Sequence, residues 1–372
     1  MRNALLLILA IAVGGIGVAS AEMHVSGYLA PHLMMYDQGE DNEANVGFGM
    51  YFNRFTFKGK MDGGEIVKAV GFRVESDISS ETSSLLKWAY VQPYFTEELS
   101  FRIGHIKRAF SREWLHPTMD LITAMRHPTS DFLKGLGYTD FAYGLDVLYK
   151  AEMFMVQAGA YTSGTPKTVE DQDPALDFGG RVVAMPIEGL EVGLNAVMTT
   201  LPHDGTMQGS NQGVYPSETY ETNSGLAYGF DVDYMTDFDK MSLWAQAEVG
   251  MGDCWTAGPK DAEAGDTWED YEWFSFMYYY LKLRFMFTEE LGFQLGYSMF
   301  DPVTENDDDE YPGTEYDKTT KITPGLIYFW TPLCRTEVEV QLCTEQGYDA
   351  QTGDGMDYDY THFLLQQVLV WK

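Results

Sequence analysis

FTEELSFRIG (Phe95–Gly104) and FTEELGFQLG (Phe287–Gly296) are nearly the same ten residues, written once in each half of the chain. A third version, PIEGLEVGLN (Pro186–Asn195), keeps the acidic element, the Leu and the alternation behind it. In the second copy Phe293, Leu295, Tyr297 and Met299 alternate with Gln294, Gly296 and Ser298. A period of two marks a strand with one apolar and one polar face. The acidic-Leu element therefore predicts a tight turn that feeds an amphipathic strand.

Outward from these stretches the same rhythm fills the chain. Short turns are predicted at Met61 (MDGGE), Thr96 (TEELS), Lys150 (KAEM), Pro186 (PIEGLE), Thr236 (TDFDK), Thr288 (TEELG) and Thr331 (TPLCRTE). Between them lie longer acidic segments rich in Gly, Asn and Pro. These begin at Asp37, Ser76, Lys107, Thr165, Leu201, Gly252, Asp301 and Tyr348. Seven turns alternating with eight loops predict sixteen strands in an antiparallel meander. Phe55 and Phe57 oppose Arg54, Thr56 and Lys58, and Tyr143, Leu145, Val147 and Tyr149 oppose Asp146. Val338, Val340 and Leu342 oppose Glu337, Glu339 and Gln341.

The beginning of the chain carries an address. Met1-Arg2-Asn3 is a positive start, Ala4 to Val18 is apolar, and Ala19-Ser20-Ala21 is a small-residue cleavage site. Residues 1–21 thus predict a secretory signal peptide, and 22–372 the mature protein. No later stretch is long and uncharged enough for a transmembrane helix. Aromatic residues are nonetheless 15% of the chain, a level that suits aromatic girdles at a membrane. Trp88, Tyr90, Tyr143, Tyr149, Tyr279 and Trp371 are expected on that lipid face or in the girdles. Cys254, Cys334 and Cys343 form no metal-binding spacing, and a Cys334–Cys343 disulfide stays open as a minor alternative.

A soluble sandwich would alternate in the same way, so the solvent is decided by other features. The hairpin series is unbroken, the loops are long on one side only, and the strand number is even. In lipid every backbone polar group must pair within the protein, which a closed barrel achieves without an edge. The fold class expected is all-β: a sixteen-stranded antiparallel transmembrane barrel with short periplasmic turns and long acidic external loops. Sixteen strands leave a water-filled bore lined by the polar faces.

Formal net charge is -32, from 24 Lys+Arg against 56 Asp+Glu, which disfavours nucleic acid as a partner. Half of the basic residues nevertheless fall within residues 54–134. Arg54, Lys58, Arg73, Lys87 and Arg102 are expected on polar strand faces. Lys107, Arg108, Arg112, Arg126 and Lys134 are expected in the third loop, with Lys282 and Arg284 joining from a later strand. An opposing wall would carry Glu191, Asp231, Asp233, Glu248, Glu337 and Glu339. Basic and acidic walls facing each other would set a transverse field at a constriction. With a Debye length of about 8 Å, acidic loop tips beyond the mouth are largely screened from it.

The stretch LLKWAYVQPYFTEELSFRIGHIKRAFSREWL, with Gly104, Lys107, Phe110, Ser111 and Glu113, resembles the phosphate-selective porin O and P family of bacterial outer membranes. FNRFTFKGKMDGG upstream and FAYGLDVLYK downstream are similar as well, so the likeness runs from about Phe52 to Lys150. The resemblance implies a homotrimeric porin of the outer membrane, with a third loop (about 107–138) folded into the lumen. It implies that Lys107, Arg108, Arg112 and Arg126 in the loop, and Arg54, Lys58, Arg73, Lys87 and Arg102 on the wall, guide anions. Small hydrophilic solutes or inorganic anions and outer-membrane lipid are the partners expected, with no cofactor and no metal. The chain lacks a dense run of Arg, so a general or weakly anion-preferring channel is the expectation. The alternative is a structural or adhesive surface barrel with little conductance. An enzyme is disfavoured, because no Ser stands in a nucleophile-elbow context.

Overall fold

The computed structural model describes residues 21–37, 45–79, 86–126, 129–162, 176–200, 224–254, 274–301, 318–348 and 355–371. Apart from Ala21, which opens the first strand, the expected signal peptide lies outside these residues, as do most of the expected acidic loops. The strands are β1 (Ala21–Asp37), β2 (Asn45–Asp62), β3 (Ala69–Asp77), β4 (Leu86–Tyr94), β5 (Leu99–Lys107), β6 (Phe141–Lys150), β7 (Phe154–Thr162) and β8 (Leu176–Ile187). They continue as β9 (Leu190–Thr200), β10 (Ser224–Phe238), β11 (Met241–Cys254), β12 (Phe274–Met286), β13 (Leu291–Asp301), β14 (Thr319–Thr331), β15 (Cys334–Tyr348) and β16 (Gly355–Trp371). Each pairs antiparallel with its neighbours in sequence, and β16 closes on β1 from Gly27↔Trp371 to Asp37↔Thr361. The expected sixteen-stranded antiparallel barrel is the observed fold.

Its polarity is inside-out. Asp146, Asp231, Glu337, Glu339 and Gln294 are each 0% exposed, whereas Leu194 is 63%, Ile103 56% and Leu326 54% exposed. A water-soluble protein arranges these residue types the other way round. One strand shows the cause: Glu337, Glu339 and Gln341 of β15 are buried toward the interior, and Leu342 on the opposite face is 45% exposed.

The repeated decapeptide is a repeated turn. Phe95 N–H and Thr96 N–H both donate to the Leu99 carbonyl, at 2.9 and 3.3 Å, and Phe287 and Thr288 do the same to Leu291 at 2.9 and 3.3 Å. The Thr96 hydroxyl accepts from the Leu99 and Glu98 amides at 2.9 and 3.1 Å. The Thr288 hydroxyl accepts from Leu291 and Glu290 at 3.0 and 3.2 Å. Thr thus caps the turn with its side chain, and the Thr96 hydroxyl in turn donates to the Glu98 carboxylate at 2.7 Å. The third version differs. Ile187 pairs with Leu190 across a two-residue turn in which Gly189 has φ of 79°. A Cβ there would lie 1.9 Å from the Met235 carbonyl oxygen, so glycine rather than a Thr cap makes this turn.

A second glycine shapes the seam. A Cβ on Gly27 would lie 2.2 Å from the Trp371 ring and 2.4 Å from the Arg54 carbonyl oxygen. The bare backbone of β1 lets the last aromatic of β16 lie across it.

Two aromatic assignments are corrected. Trp88 and Tyr90 face the interior and not lipid: Trp88 is 9% exposed and pairs across the sheet with Glu75, as Tyr90 does with Arg73. The Arg73 and Arg102 guanidinium groups lie 5.2 and 5.8 Å from the Trp88 ring. Tyr143, Tyr149 and Trp371 remain outside, at 42%, 39% and 38% exposure.

Candidate functional site in the barrel interior

The segment between β5 and β6 is the one long connection whose course is almost fully described. It leaves β5 at Arg108, whose side chain is buried. That guanidinium donates to the carbonyls of Gly137 at 2.6 Å, Thr139 at 3.1 Å and Thr162 at 3.0 Å, and pairs with Asp177 at 2.6 Å. Arg108 therefore ties the first and last residues of the segment together and to the strands beside it.

Ser111 follows with φ of 58° and accepts the Trp114 amide at the start of helix α1 (Arg112–Leu115). Arg112 donates to Asp233 at 3.0 Å and Glu191 at 2.7 Å, and stands 3.6 Å from Asp231. Burial works against its charge, but the three carboxylates outweigh that and hold its pKa above the usual value. Glu113 accepts an ion pair from Lys282 of β12. Its amide donates to Glu248 at 3.3 Å, which also accepts the Tyr278 and Tyr280 hydroxyls at 2.7 and 2.8 Å.

The segment then crosses to the next part of the wall. Arg335 of β15 donates to the Met119 carbonyl at 2.5 Å. Arg284 of β12 donates to the carbonyls of Leu121 and Ile122 at 2.7 and 2.8 Å. The Ala124 amide donates to Glu339 of β15 at 2.6 Å. Arg126 folds back onto the carbonyls of Glu113 and, at 2.9 Å, His116. Burial lowers its pKa, and the nearby Glu113 only partly opposes this. The return leg carries helix α2 (Thr129–Gly135), whose Leu133, together with Leu136 and Tyr138, packs on Val197, Phe276 and Tyr278. Wall side chains thus supply the backbone partners that an irregular segment cannot supply itself.

The arginines expected on the wall are in the interior but already engaged. Arg54 pairs with Asp77 at 2.8 Å and Glu75 at 3.3 Å, Arg73 with Glu75, and Arg102 with Asp146 at 2.5 Å. Lys107 donates to the carbonyls of Trp114 and His116 under the rings of Trp88 and Trp114. Lys134 stands 3.5 Å from Asp140. Lys87 sits at a β-bulge opposite Glu75 and Ser76, half-buried, with Arg54, Asp77, Asp140 and Lys134 as its charged neighbours. Lys58 lies on the inward face of β2 and makes no ion pair among the described residues.

The acidic wall is present and is not across open space from the third-loop cations. Glu191, Asp231 and Asp233 receive Arg112 directly, and Glu337 receives Arg335 at 2.5 Å with Arg284 at 3.7 Å. Glu248 and Glu339 bind tyrosine hydroxyls and amide groups. Sequence reading missed Arg181, which pairs with Asp231 at 2.6 Å, and the partners Asp77, Asp146 and Asp177. For Asp77 the signal is position, four residues from Arg73 on the same strand, and the alternation puts Asp146 on the polar face without giving it a role; no placed residue of β8 points to Asp177 or Arg181. Cys334 and Cys343 form no disulfide.

No protein-family model and no curated protein matches this sequence. Solved structures do match it. The outer membrane channel DcaP of Acinetobacter baumannii is 12% identical with a TM-score of 0.65, over 94% of this chain and 97% of that one. The anion-selective porin from Comamonas acidovorans is 12% identical with a TM-score of 0.61, over 95% and 100% of the two chains. The trimer form of OmpT, an outer membrane protein of Vibrio cholerae, is 13% identical with a TM-score of 0.57, over 94% and 99%. At such identities the likeness is one of fold: this chain shares the barrel architecture of these outer-membrane proteins over almost its whole length.

Proposed function

We propose that the protein is an outer-membrane porin, a passive diffusion channel for small hydrophilic solutes and ions with a weak preference for anions. The observation that carries this is the inverted polarity: a closed barrel with charged residues at 0% exposure inside and leucines above half exposure outside. Such a surface is stable in lipid and not in water. The fold shared with DcaP and the Comamonas porin supports the same reading, and the trimer form of OmpT supports a homotrimer. Export through a leader at residues 1–21 completes the proposal.

Anion preference rests on which charges are left over. Ion pairs act on a passing solute as dipoles, whose fields fall off faster than those of single charges. The Arg54, Arg73, Arg102, Arg108 and Arg112 charges are neutralised in this way, so they brace the interior and steer solutes only weakly. Lys58, Lys60 and Lys321 have no carboxylate partner among the described residues; Lys60 lies 4.6 Å from the Tyr94 ring. They are the residues assigned to solute guidance. A second reading, a surface barrel with little conductance, is favoured by the number of bonds that pin the β5–β6 segment across the interior.

The test is the zero-current potential of the detergent-extracted protein in a planar bilayer under a KCl gradient. Stepwise conductance with a chloride-to-potassium permeability ratio above one is expected. A cation preference overturns the charge assignment, and an absence of conductance leaves the structural barrel.

A further inference from the structure

Two grooves of about 570 Å³ each lie at the short-turn end of the barrel. One is lined by the β6–β7 and β8–β9 turns, and its Glu191 and Asp233 are already taken by Arg112. The other runs past three successive turns, β10–β11, β12–β13 and β14–β15. Its floor is apolar. Met286 is buried there, and Phe329 lies half-buried opposite Arg335 on the inner face. Trp330 and Met241 stand at the rim, 63% and 43% exposed, and the Trp330 ring is fixed by its Nε1–H, which donates to the Thr336 hydroxyl at 2.8 Å.

Four carboxylates edge this groove, Asp237 and Asp239 from one turn and Glu289 and Glu290 from the next, against the single ammonium of Lys240. All five side chains are exposed, and none makes an ion pair or a side-chain hydrogen bond among the described residues. The other TEEL turn differs in this respect. There the Glu98 carboxylate accepts the Thr96 hydroxyl at 2.7 Å, whereas the Glu290 carboxylate bonds nothing. The two copies make the same backbone turn, but only the second stands beside a groove and holds both carboxylates out to it.

From this arrangement we infer that the groove is a docking site for an extended, basic peptide segment of another protein. Charge complementarity selects the occupant. The carboxylates repel anionic lipid headgroups, and a second copy of this chain would bring its own acidic turn end. Length selects an extended chain over a small organic cation. Neighbouring turns are two strands apart, which at the tilt of about 40° usual for such barrels is about 12 Å along the rim. Four extended residues cover about 13 Å and return the side chain to the same face. A basic side chain then meets Asp237 and Asp239, and one four residues on meets Glu289 and Glu290. An apolar side chain four further on lies against Phe329 and Trp330. The inference rests on the channel reading only for the compartment of the partner, since that reading turns this end toward the periplasm.

Fluorescence anisotropy of a labelled nine-residue peptide with the full-length protein in neutral detergent tests this. The peptide carries lysine at its first and fifth positions, leucine at its ninth and serine elsewhere. At an ionic strength of about 0.1 M the Debye length is about 10 Å, so distant turns are screened. Saturable binding is expected, weakened about fivefold by Glu289→Gln with Glu290→Gln, the worth of two exposed ion pairs. Glu97→Gln with Glu98→Gln makes the same change in the other TEEL turn and leaves the affinity unchanged. Both pairs of substitutions keep the Thr caps, which hold backbone amides, so the turns persist. An isomeric peptide with adjacent lysines is expected to bind several-fold more weakly. No binding, or equal losses from the two pairs of substitutions, overturns the site. Equal affinity for the two peptides overturns the extended segment as its occupant. Conductance without peptide binding keeps the channel and removes the site. Binding without conductance keeps the site and removes the channel.

Discussion

Arg112→Gln separates bracing from steering in one residue. The guanidinium bonds Asp233 at 3.0 Å and Glu191 at 2.7 Å, and lies 3.6 Å from Asp231. After substitution Asp231 keeps Arg181 at 2.6 Å, and Asp233 keeps the Trp244 and Gln246 side chains at 3.1 and 3.2 Å. Removing one partner of a largely buried pair costs about 3–5 kcal/mol, and these remaining donors place Arg112 near about 3. That is about two powers of ten in the balance between the docked and undocked segment. The charge effect is smaller. One lost positive charge about 8 Å from a passing ion changes its energy by about 0.5 kcal/mol in water. Screening over a similar Debye length leaves about 0.2 kcal/mol. The change has opposite sign for chloride and potassium, so the permeability ratio falls by about two- to fivefold. In a bilayer the variant is expected to show longer excursions to a larger conductance together with this shift. Arg112→Lys restores the ratio and only part of the docking, because a point charge cannot bond two carboxylates as a planar fork does. An Arg112→Gln channel with unaltered ratio and unaltered current noise refutes both roles.

Other expectations are sharper in stability than in current. Thr96→Ala and Thr288→Ala each remove a turn cap and cost about 1 kcal/mol, seen as matched losses in the urea midpoint of heat-modifiable barrel; a loss at one site only breaks the equivalence of the two turns. Gly27→Val puts side-chain atoms where the Trp371 ring lies, and the folded fraction after detergent refolding drops sharply. Trp371→Ala in the same chain recovers part of it but not all, because the Cβ still meets the Arg54 carbonyl oxygen at 2.4 Å; complete recovery argues against that backbone contact. Trp88→Ala removes a nearly buried ring that two guanidinium groups flank, and costs about 3–5 kcal/mol; a chain as stable as the parent would return Trp88 to the lipid face.

The architecture was legible because the alternation that decides strand facing is written locally. Glu337-Val338-Glu339-Val340 needs no partner strand to declare its faces. Turn motifs set the strand number for the same reason. The inward face of Trp88 and Tyr90 is hidden in the sequence because KWAYVQPY has apolar residues on both faces. Gln92, four residues after Trp88 and two after Tyr90, is the sign that their face looks inward. The cations were found, but their state was not. Arg112 meeting Asp233 depends on where a segment rooted in β5 lands on β10, and nothing local encodes a contact over that span. The third turn was grouped with the Thr-capped pair because Leu and alternation dominate the comparison. The positive φ of Gly189 is a backbone property that the shared letters hide.

A tube of sixteen strands has no filling of its own, and its cross-section resists flattening only through the stiffness of the sheet. The segment tied at its neck by Arg108, on β10 by Arg112, on β12 through Glu113 and on β15 through Ala124 links these parts of the wall like a crossbar. Sideways pressure from the bilayer is then shared between opposite walls. The interior width becomes a mechanical property of the salt links as much as a geometric one of the strands. Conditions that loosen those links, such as high ionic strength or extreme pH, should make the barrel softer in shape well before any strand separates.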